Sequence, residues 1–190
     1  PFGGTMPSDW HFRTLGESTE MSAGGDKPKI LSSIQTEKCT YPVYSNGLSD
    51  EGLYGYTDAP KIKDESVTVS ARGTIGFVCL RHIPYVPIVR LVTLIPLRKL
   101  MSAKYLYLYL KQCDISGTGT TQQQLTVPDF RKTEILIPSK DVMDQFTKTV
   151  TPLFDTIWSN QEQNRKLASL RDILLPKLMS GELNVSDIQL

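Results

Sequence analysis

Four polar stretches of the chain carry side chains that can read nucleic-acid bases and phosphates. Asn and Gln amides pair with adenine, Arg with guanine, and Ser and Thr hydroxyls with bases or phosphates. Taken singly, each stretch is more often an ordinary polar loop, and together they become persuasive only with further context. The candidate nucleic-acid contacts are Tyr44, Ser45, Asn46, Arg72, Thr74, Arg81, His82, Thr118, Thr120, Thr121, Gln122 and Gln123.

No catalytic pattern accompanies these stretches. The sequence lacks a P-loop, a nucleophile elbow, HExxH, paired histidine ligands and the loop and tetrapeptide of a methyltransferase. Gly117-Thr118-Gly119 has no third glycine at the spacing of a dinucleotide cradle. Asp129 and Glu134 resemble nuclease carboxylates, but Leu136 stands where that pattern has lysine. We expect no catalytic residue and no metal site, with a small nuclease built on Asp129 and Glu134 left as an alternative.

Positive charge is concentrated in one part of the chain. Lys plus Arg 21 against Asp plus Glu 20 gives a net charge of +1, which by itself does not indicate a nucleic-acid partner. Residues 71–113, however, hold seven cations and no carboxylate. This segment predicts a basic face, and the alternative is scattered surface cations around a buried sheet. The seven cations are Arg72, Arg81, Arg90, Arg98, Lys99, Lys104 and Lys111.

Cysteine usage and hydropathy indicate a cytoplasmic protein. Cys39, Cys79 and Cys113 are widely spaced and odd in number, which favours a reducing compartment over a disulfide framework or structural zinc. No apolar run reaches the roughly 18 residues of a membrane span, and no signal peptide is visible, so we expect no membrane partner. The chain begins with Pro1 and not with Met, as a piece of a longer polypeptide would.

A globular mixed α/β domain over residues 1–138 is expected to position the polar stretches, in a chain of the α+β class. Alternating apolar and polar residues predict a strand at 66–71, and Arg72-Gly73 forms a tight turn to a second strand at 74–80. Residues 102–113 alternate Tyr and Leu as a strand would, but their length and capping serine favour a buried helix. Further strands are predicted at 30–35, at 85–95 with Pro87 off the sheet centre or in a bulge, and at 133–137.

A long helix is predicted from Ser139 to about Leu178, within a second region at 139–190. Its apolar residues recur at a spacing of 3 and 4, which is typical of a helix that keeps one face against a partner helix. Asparagines on that face would set register, or the stretch 159–166 is simply solvated. The predicted pairing residues are Val150, Leu153, Ile157, Asn160, Asn164, Leu167 and Leu174.

The length and the prolines of this helix are also informative. About 36 helical residues would reach roughly 54 Å, further than a core of this size needs, which suggests a spacer. Pro152 is expected to kink the helix near Lys148, and Pro176 to end or bend it within a turn of Ile173.

Five stretches resemble, in chain order, the specificity subunit of type I restriction-modification systems. The likeness spans nearly the whole chain, and Pro138 followed by Asp144-Gln145 is similar to the Pro, acidic residue and Gln that open the long helix in many members. The stretches are Trp10 with Leu15-Gly16-Glu17, VTVSARGTIG at 67–76, GTGTTQQQL at 117–125, ILIPSKDVMDQF at 135–146 and LRDILLPKLMSGELNV at 170–185.

The resemblance implies a role in reading double-stranded DNA. A full subunit of this family holds two target-recognition domains, each followed by a long helix, and the two helices pack antiparallel as a ruler between domains that each read half of a split target. The subunit recruits methyltransferase (M) subunits, which hold S-adenosylmethionine, and restriction (R) subunits with the ATP-driven motor and nuclease, where ATP and Mg²⁺ are expected. With one such domain and one helix, this chain resembles the C-terminal half of a subunit, or a half-size subunit that must dimerise.

We therefore expect a DNA sequence-recognition module with a helical spacer that binds no cofactor and is not itself an enzyme. One turn of B-DNA is about 34–36 Å between equivalent major-groove sites, so a helix of roughly 54 Å could hold two readers at that separation. The alternative from another class is a structural adaptor, whose helix recruits a protein partner and whose globular part never contacts DNA.

Overall fold

The computed structural model describes residues 6–116 and 124–183, and the chain divides into two units, Pro1–Thr147 and Lys148–Leu190. The first unit combines short strands and helices, and the second continues the last helix. In chain order the elements are β1 (His11–Thr14), α1 (Leu15–Ser18), β2 (Thr19–Ala23), β3 (Tyr41–Tyr44), β4 (Leu53–Thr57), β5 (Ser66–Ser70), β6 (Val78–Arg81), β7 (Val86–Pro87), β8 (Leu91–Pro96), α2 (Ala103–Gln112), α3 (Val127–Phe130), β9 (Glu134–Ile137) and α4 (Lys140–Met179), with a 3₁₀ turn at Ser49–Gly52.

The central sheet is antiparallel and has the strand order β2-β8-β5-β6. The predicted strand at 66–71 is confirmed as β5, and all its residues are buried, so both faces of this strand are covered. Side chains alternate along a strand, so Val67 and Val69 lie on one face and Ser66, Thr68 and Ser70 on the other. Polar side chains therefore lie inside this domain.

The predicted helix at 102–113 is confirmed as α2, which packs against β5, β6 and β8. Ser102 caps it, because its side chain accepts a hydrogen bond from Tyr105 N. Leu106 and Leu110 are buried one turn apart, while Tyr105 lies half-buried and donates to the Leu136 carbonyl over 2.5 Å. The Tyr and Leu alternation thus places the leucines in the core and the tyrosine at its edge.

Two smaller sheets complete the first unit. In the sheet of order β4-β3-β7, β3 pairs antiparallel with β4 and parallel with the two-residue edge strand β7, which contains Pro87. Proline cannot donate to a ladder, and its edge position agrees with the prediction. In the other sheet β1 pairs with β9, the predicted strand at 133–137, which leads directly into α4.

Three strand predictions need correction. The predicted strand at 30–35 is wrong: Ser32 makes an isolated bridge to Tyr56, and its hydroxyl bonds locally to the backbone of Ile34, which competes with a ladder. The predicted strand at 74–80 begins only at Val78, because residues 71–77 form turns. The run at 85–95 is split into β7 and β8 by Arg90, whose φ is 76°.

Helix α4 begins directly after Ser139, as predicted, and Met143 N donates to the Ser139 carbonyl over 2.9 Å. Its first turns belong to the first unit: Met143 is buried, and the Phe146 ring lies 5.5 Å from that of Tyr105. The helix ends at Met179, close to the predicted end at about Leu178, so Pro176 does not end it within a turn of Ile173, and a bend there stays a prediction. Pro176 has no amide to donate to the Asp172 carbonyl, yet the helical conformation continues for three more residues.

In the described part of the chain, no helix is both long and apolar enough to cross a membrane.

Candidate nucleic-acid interface

The structure brings two of the predicted segments together, the 44–46 segment at the end of β3 and the Arg72 turn. Asn46 Nδ2 donates to the Arg72 carbonyl over 2.8 Å, and Thr74 Oγ1 donates to the Asn46 carbonyl over 2.6 Å. Ser45 Oγ in turn donates to Asn46 Oδ1 over 3.2 Å. These residues are half-buried except for Arg72, which is exposed. Hydroxyl, amide and guanidinium groups from two loops thus lie in one patch.

The end of the Thr- and Gln-rich stretch joins the same patch. Arg72 Nη2 donates to Gln124 Oε1 over 2.5 Å, and Leu125 N donates to the Ala71 carbonyl over 2.9 Å. We call Ser45, Asn46, Arg72, Thr74 and Gln124 the polar cluster. Gln124 is the last residue of the polar loop 118–124, which the sequence predicts as a candidate nucleic-acid contact.

Five predicted contacts cannot be placed, because they lie outside the described residues. They are Thr118, Thr120, Thr121, Gln122 and Gln123.

Arg81 is buried and faces the interior, with a relative exposure of 3%. All three of its guanidinium nitrogens donate hydrogen bonds within the protein: Nε to Thr68 Oγ1 at 3.0 Å, Nη1 to the Glu51 carboxylate at 3.3 Å and Nη2 to the Glu51 carbonyl at 2.6 Å. The guanidinium carbon also lies 3.6 Å from the centroid of the Tyr44 ring, within cation–π distance. His82, the next residue, is exposed.

Tyr44 also contacts a buried tyrosine, Tyr85. The rings of Tyr44 and Tyr85 lie 5.8 Å apart at 64°, an edge-to-face contact. The Tyr85 hydroxyl shares a hydrogen bond of 2.9 Å with Ser66 Oγ. Burial raises the pKa of Tyr85, although its hydrogen bonds to Ser66 and Thr93 oppose that shift. This buried network could not be predicted from the sequence, since polar residues alternating along a strand usually face solvent.

Carboxylates from earlier in the chain offset part of the predicted basic segment. Besides Arg81, Arg98 pairs with Asp64 at 2.9 Å and Lys104 pairs with Glu65 at 2.7 Å. The remaining cations of that segment, Arg72, Arg90, Lys99 and Lys111, are exposed. Fewer than the seven cations counted in residues 71–113 therefore contribute to the positive charge of the protein surface.

The predicted pairing residues of α4 lie in the second unit and are largely solvent-accessible. Val150 is half-buried, whereas Leu153, Ile157, Leu167 and Leu174 are exposed by 60%, 49%, 63% and 42%. Asn160 and Asn164 are exposed as well. Large apolar side chains in such numbers on one helix mark a surface suited to a protein partner.

The described residues hold no group of three or more His, Cys, Asp or Glu side chains placed to bind a metal ion.

Comparison with known proteins gives consistent relatives. The family model described as "Type I restriction modification DNA specificity domain" matches residues 7–169. The specificity subunit of the HindI type I restriction enzyme from Haemophilus influenzae is 30% identical over 178 residues, which cover 90% of this chain and 38% of that protein. The specificity subunit of the MjaIX enzyme from Methanocaldococcus jannaschii is 36% identical over 95 residues, or 47% of this chain and 22% of that protein.

A solved structure shares the fold. The crystal structure of the type I restriction-modification S subunit from M. genitalium matches with a TM-score of 0.69 at 23% identity, covering 90% of this chain and 46% of that one. The chain spans about two fifths of the length of the first curated relatives it matches, namely 39%, 42% and 38%. Since the family model covers most of its residues, the chain belongs to the type I restriction-modification DNA specificity domain family.

Proposed function

We propose that this chain is a sequence-specific DNA recognition module of a type I restriction-modification complex, reading one half of a bipartite target. The observation that carries the proposal is the polar cluster, in which Asn46, Arg72 and Gln124 lie together although they come from three separate parts of the chain. Amide and guanidinium groups are the side chains that discriminate adenine and guanine in the major groove. Family membership supports the same role.

The contacts within the polar cluster suit it to reading DNA. Arg72 is exposed, and its hydrogen bond to Gln124 orients the guanidinium before any ligand binds. The Asn46 side chain donates to the Arg72 carbonyl and accepts from Ser45 Oγ, so little side-chain freedom would be lost on binding. DNA would exchange some of these internal bonds for bonds to base edges or phosphates.

The second unit serves assembly in this proposal. Exposed Leu153, Ile157, Leu167 and Leu174 support pairing of α4 with a second long helix, supplied by another part of a longer subunit or by a second copy of the chain. Such a pair would separate two DNA-reading domains by a fixed distance. The same helix would help to position the methyltransferase and restriction subunits.

The partner subunits would carry out the chemical reactions on DNA. In this proposal the chain itself binds no cofactor, while S-adenosylmethionine, ATP and Mg²⁺ bind to the methyltransferase and restriction subunits. The complex would act on double-stranded DNA in the cytoplasm.

Charge reversal at Arg72 tests the DNA-reading role against the adaptor alternative. Arg72→Glu should weaken binding to duplex DNA about tenfold or more and reduce the salt dependence of the affinity, because a cation near phosphates is replaced by a carboxylate. Arg165→Glu makes the same change in the second unit and should alter affinity by less than about twofold. Fluorescence anisotropy of the complex with methyltransferase subunits, titrated at several salt concentrations, measures both. An adaptor predicts that the two variants bind DNA equally.

A further inference from the structure

The loop between β3 and β4, residues 45–52, has an uncommon backbone conformation. Asp50, Glu51 and Gly52 have φ values of 47°, 54° and 83°. L side chains rarely adopt this left-handed region, and Glu has no local hydrogen bonding of the Asn or Asp kind to favour it. Ser45 N donates to the Gly52 carbonyl over 2.8 Å, and a Cβ at Gly52 would lie 2.2 Å from Ser45 O. A loop this tightly closed keeps its shape only where surrounding contacts determine it.

Arg81 supplies such contacts from inside the domain. It donates to both the carbonyl and the carboxylate of Glu51, which holds this residue in its left-handed conformation. It also lies against the Tyr44 ring, directly before the loop, and bonds to Thr68 in the central sheet. One buried guanidinium thus connects the central sheet to the loop at Glu51 and to the strand residue before the loop, Tyr44. Lysine could not make these contacts together, because it lacks the planar set of donors.

The other attachment of the loop is the polar cluster itself. Asn46 bonds to the Arg72 carbonyl and accepts from Thr74, so a shift of the loop would separate Asn46 from the exposed Arg72. Fixing Glu51 and Tyr44 therefore also fixes the spacing between an amide and a guanidinium at the surface. This spacing is what two neighbouring base contacts would require.

We infer that Arg81 is a positioning residue for target specificity, an inference that rests on the proposed function. Arg81 contacts no DNA. It holds the 45–52 loop so that Ser45 and Asn46 face the DNA together with Arg72. Variants of the two arginines should therefore differ in their salt slope, which is the change in the logarithm of DNA affinity with the logarithm of salt concentration. Loss of a phosphate contact lowers this slope, whereas loss of a buried positioning contact leaves it unchanged.

The test compares matched variants of the full chain in complex with methyltransferase subunits, on a duplex selected by the wild-type complex from random sequences and on an unrelated duplex. Arg81→Lys should lose about tenfold or more in affinity for the selected duplex, keep its affinity for the unrelated duplex within about twofold, and keep the salt slope. Arg72→Ala should lower the salt slope by about 1. Arg98→Lys, the same exchange at an exposed Arg paired with Asp64, should change neither duplex.

A second variant perturbs the loop without touching the buried arginine, in case Arg81→Lys fails to fold. Gly52→Ala should reduce selectivity to a similar extent, and the Ser45 amide should exchange its hydrogen faster in either variant. Unchanged selectivity in both variants, or a lower salt slope in Arg81→Lys, overturns the positioning role alone. If the complex of the wild-type chain with methyltransferase subunits selects no duplex, the DNA-reading proposal is overturned, and this inference with it.

Discussion

Arg72 and Arg81 stand nine positions apart in one acid-free segment, yet the folded protein uses them differently. Arg72 is exposed and bonds to Gln124 at the surface, whereas Arg81 is buried and bonds to Glu51 and Thr68. A buried guanidinium is tolerated only where its donors are satisfied, and a charge reversal at Arg81 would place a carboxylate beside Glu51. Arg72 is therefore the informative site for reversing charge, and Arg81 for the milder exchange to lysine.

Cys79 makes the stability of the domain sensitive to alkaline pH. Burial raises the pKa of this thiol from 9.0 to about 11, and the nearby Arg81 charge opposes the shift only in part. Between these values the unfolded chain has lost the proton that the folded chain keeps. The unfolded state then binds fewer protons, so the free energy of unfolding falls as pH rises, by up to about 1.4 kcal/mol per pH unit for one group.

Urea denaturation at pH values from 8 to 10 checks this expectation. The Cys79→Ala variant should lose stability less steeply above pH 9 than the wild-type protein, even though the substitution itself costs some stability. Tyr105, whose pKa burial raises to about 12 from 10.0, contributes only at higher pH. Cys113→Ala removes a half-buried thiol and should flatten the slope less. Equal slopes for Cys79→Ala and the wild-type protein would contradict the assignment.

At the scale of the element, the capping of α2 by Ser102 is the contact most open to test. Its side chain accepts from Tyr105 N, and the hydroxyl also bonds to Thr147 Oγ1 over 3.1 Å. Ser102→Ala leaves an amide of the first turn unpaired and should lower the free energy of unfolding by about 1 kcal/mol. Ser102→Thr keeps the hydroxyl and should lose much less. Chemical denaturation monitored by circular dichroism measures both, and equal losses would argue against the cap.

Local sequence patterns predicted those elements whose boundaries depend on nearby residues. Alternation at 66–71 gave β5, and a capping serine with leucines one turn apart decided α2 against a strand. The strand expected at 74–80 begins only at Val78, because Gly73 and Gly76 both have a φ of 79°. Alternation of residue types does not reveal such backbone conformations. At 30–35, the hydroxyl of Ser32 supplied local hydrogen bonds in place of a neighbouring strand.

The sequence predicts which residue types the candidate site contains, but not which of these residues contact one another. Polar side chains in turns indicated Asn46 and Arg72, but their hydrogen bond joins positions far apart in sequence, and no local pattern encodes such a contact. Burial of Arg81 depends on Glu51 and Thr68, which come from two other elements. A count of cations therefore overstated the surface charge of the segment 71–113.

At the scale of the whole molecule, the two units present different kinds of surface. The first carries the polar cluster, and the second exposes apolar residues at the spacing of a paired helix. Leaving these side chains in water is costly, at about 25 cal/mol per Å² of apolar surface, so burial against another helix is favourable. The second unit therefore has a physical reason to associate that does not depend on DNA.

Ile157→Glu tests that association. Ile157 is half exposed, and a carboxylate on the paired face would have to lose its hydration on pairing. The variant should keep the circular dichroism and the thermal unfolding of the first unit, while sedimentation velocity shows a shift of mass toward monomer. Ser159→Glu places the same charge on the opposite side of the helix and should leave the sedimentation profile unchanged. If Ile157→Glu sediments as the wild-type chain does, the exposed residues of α4 do not pair copies of this chain, and a ruler would need a helix from elsewhere in a longer subunit.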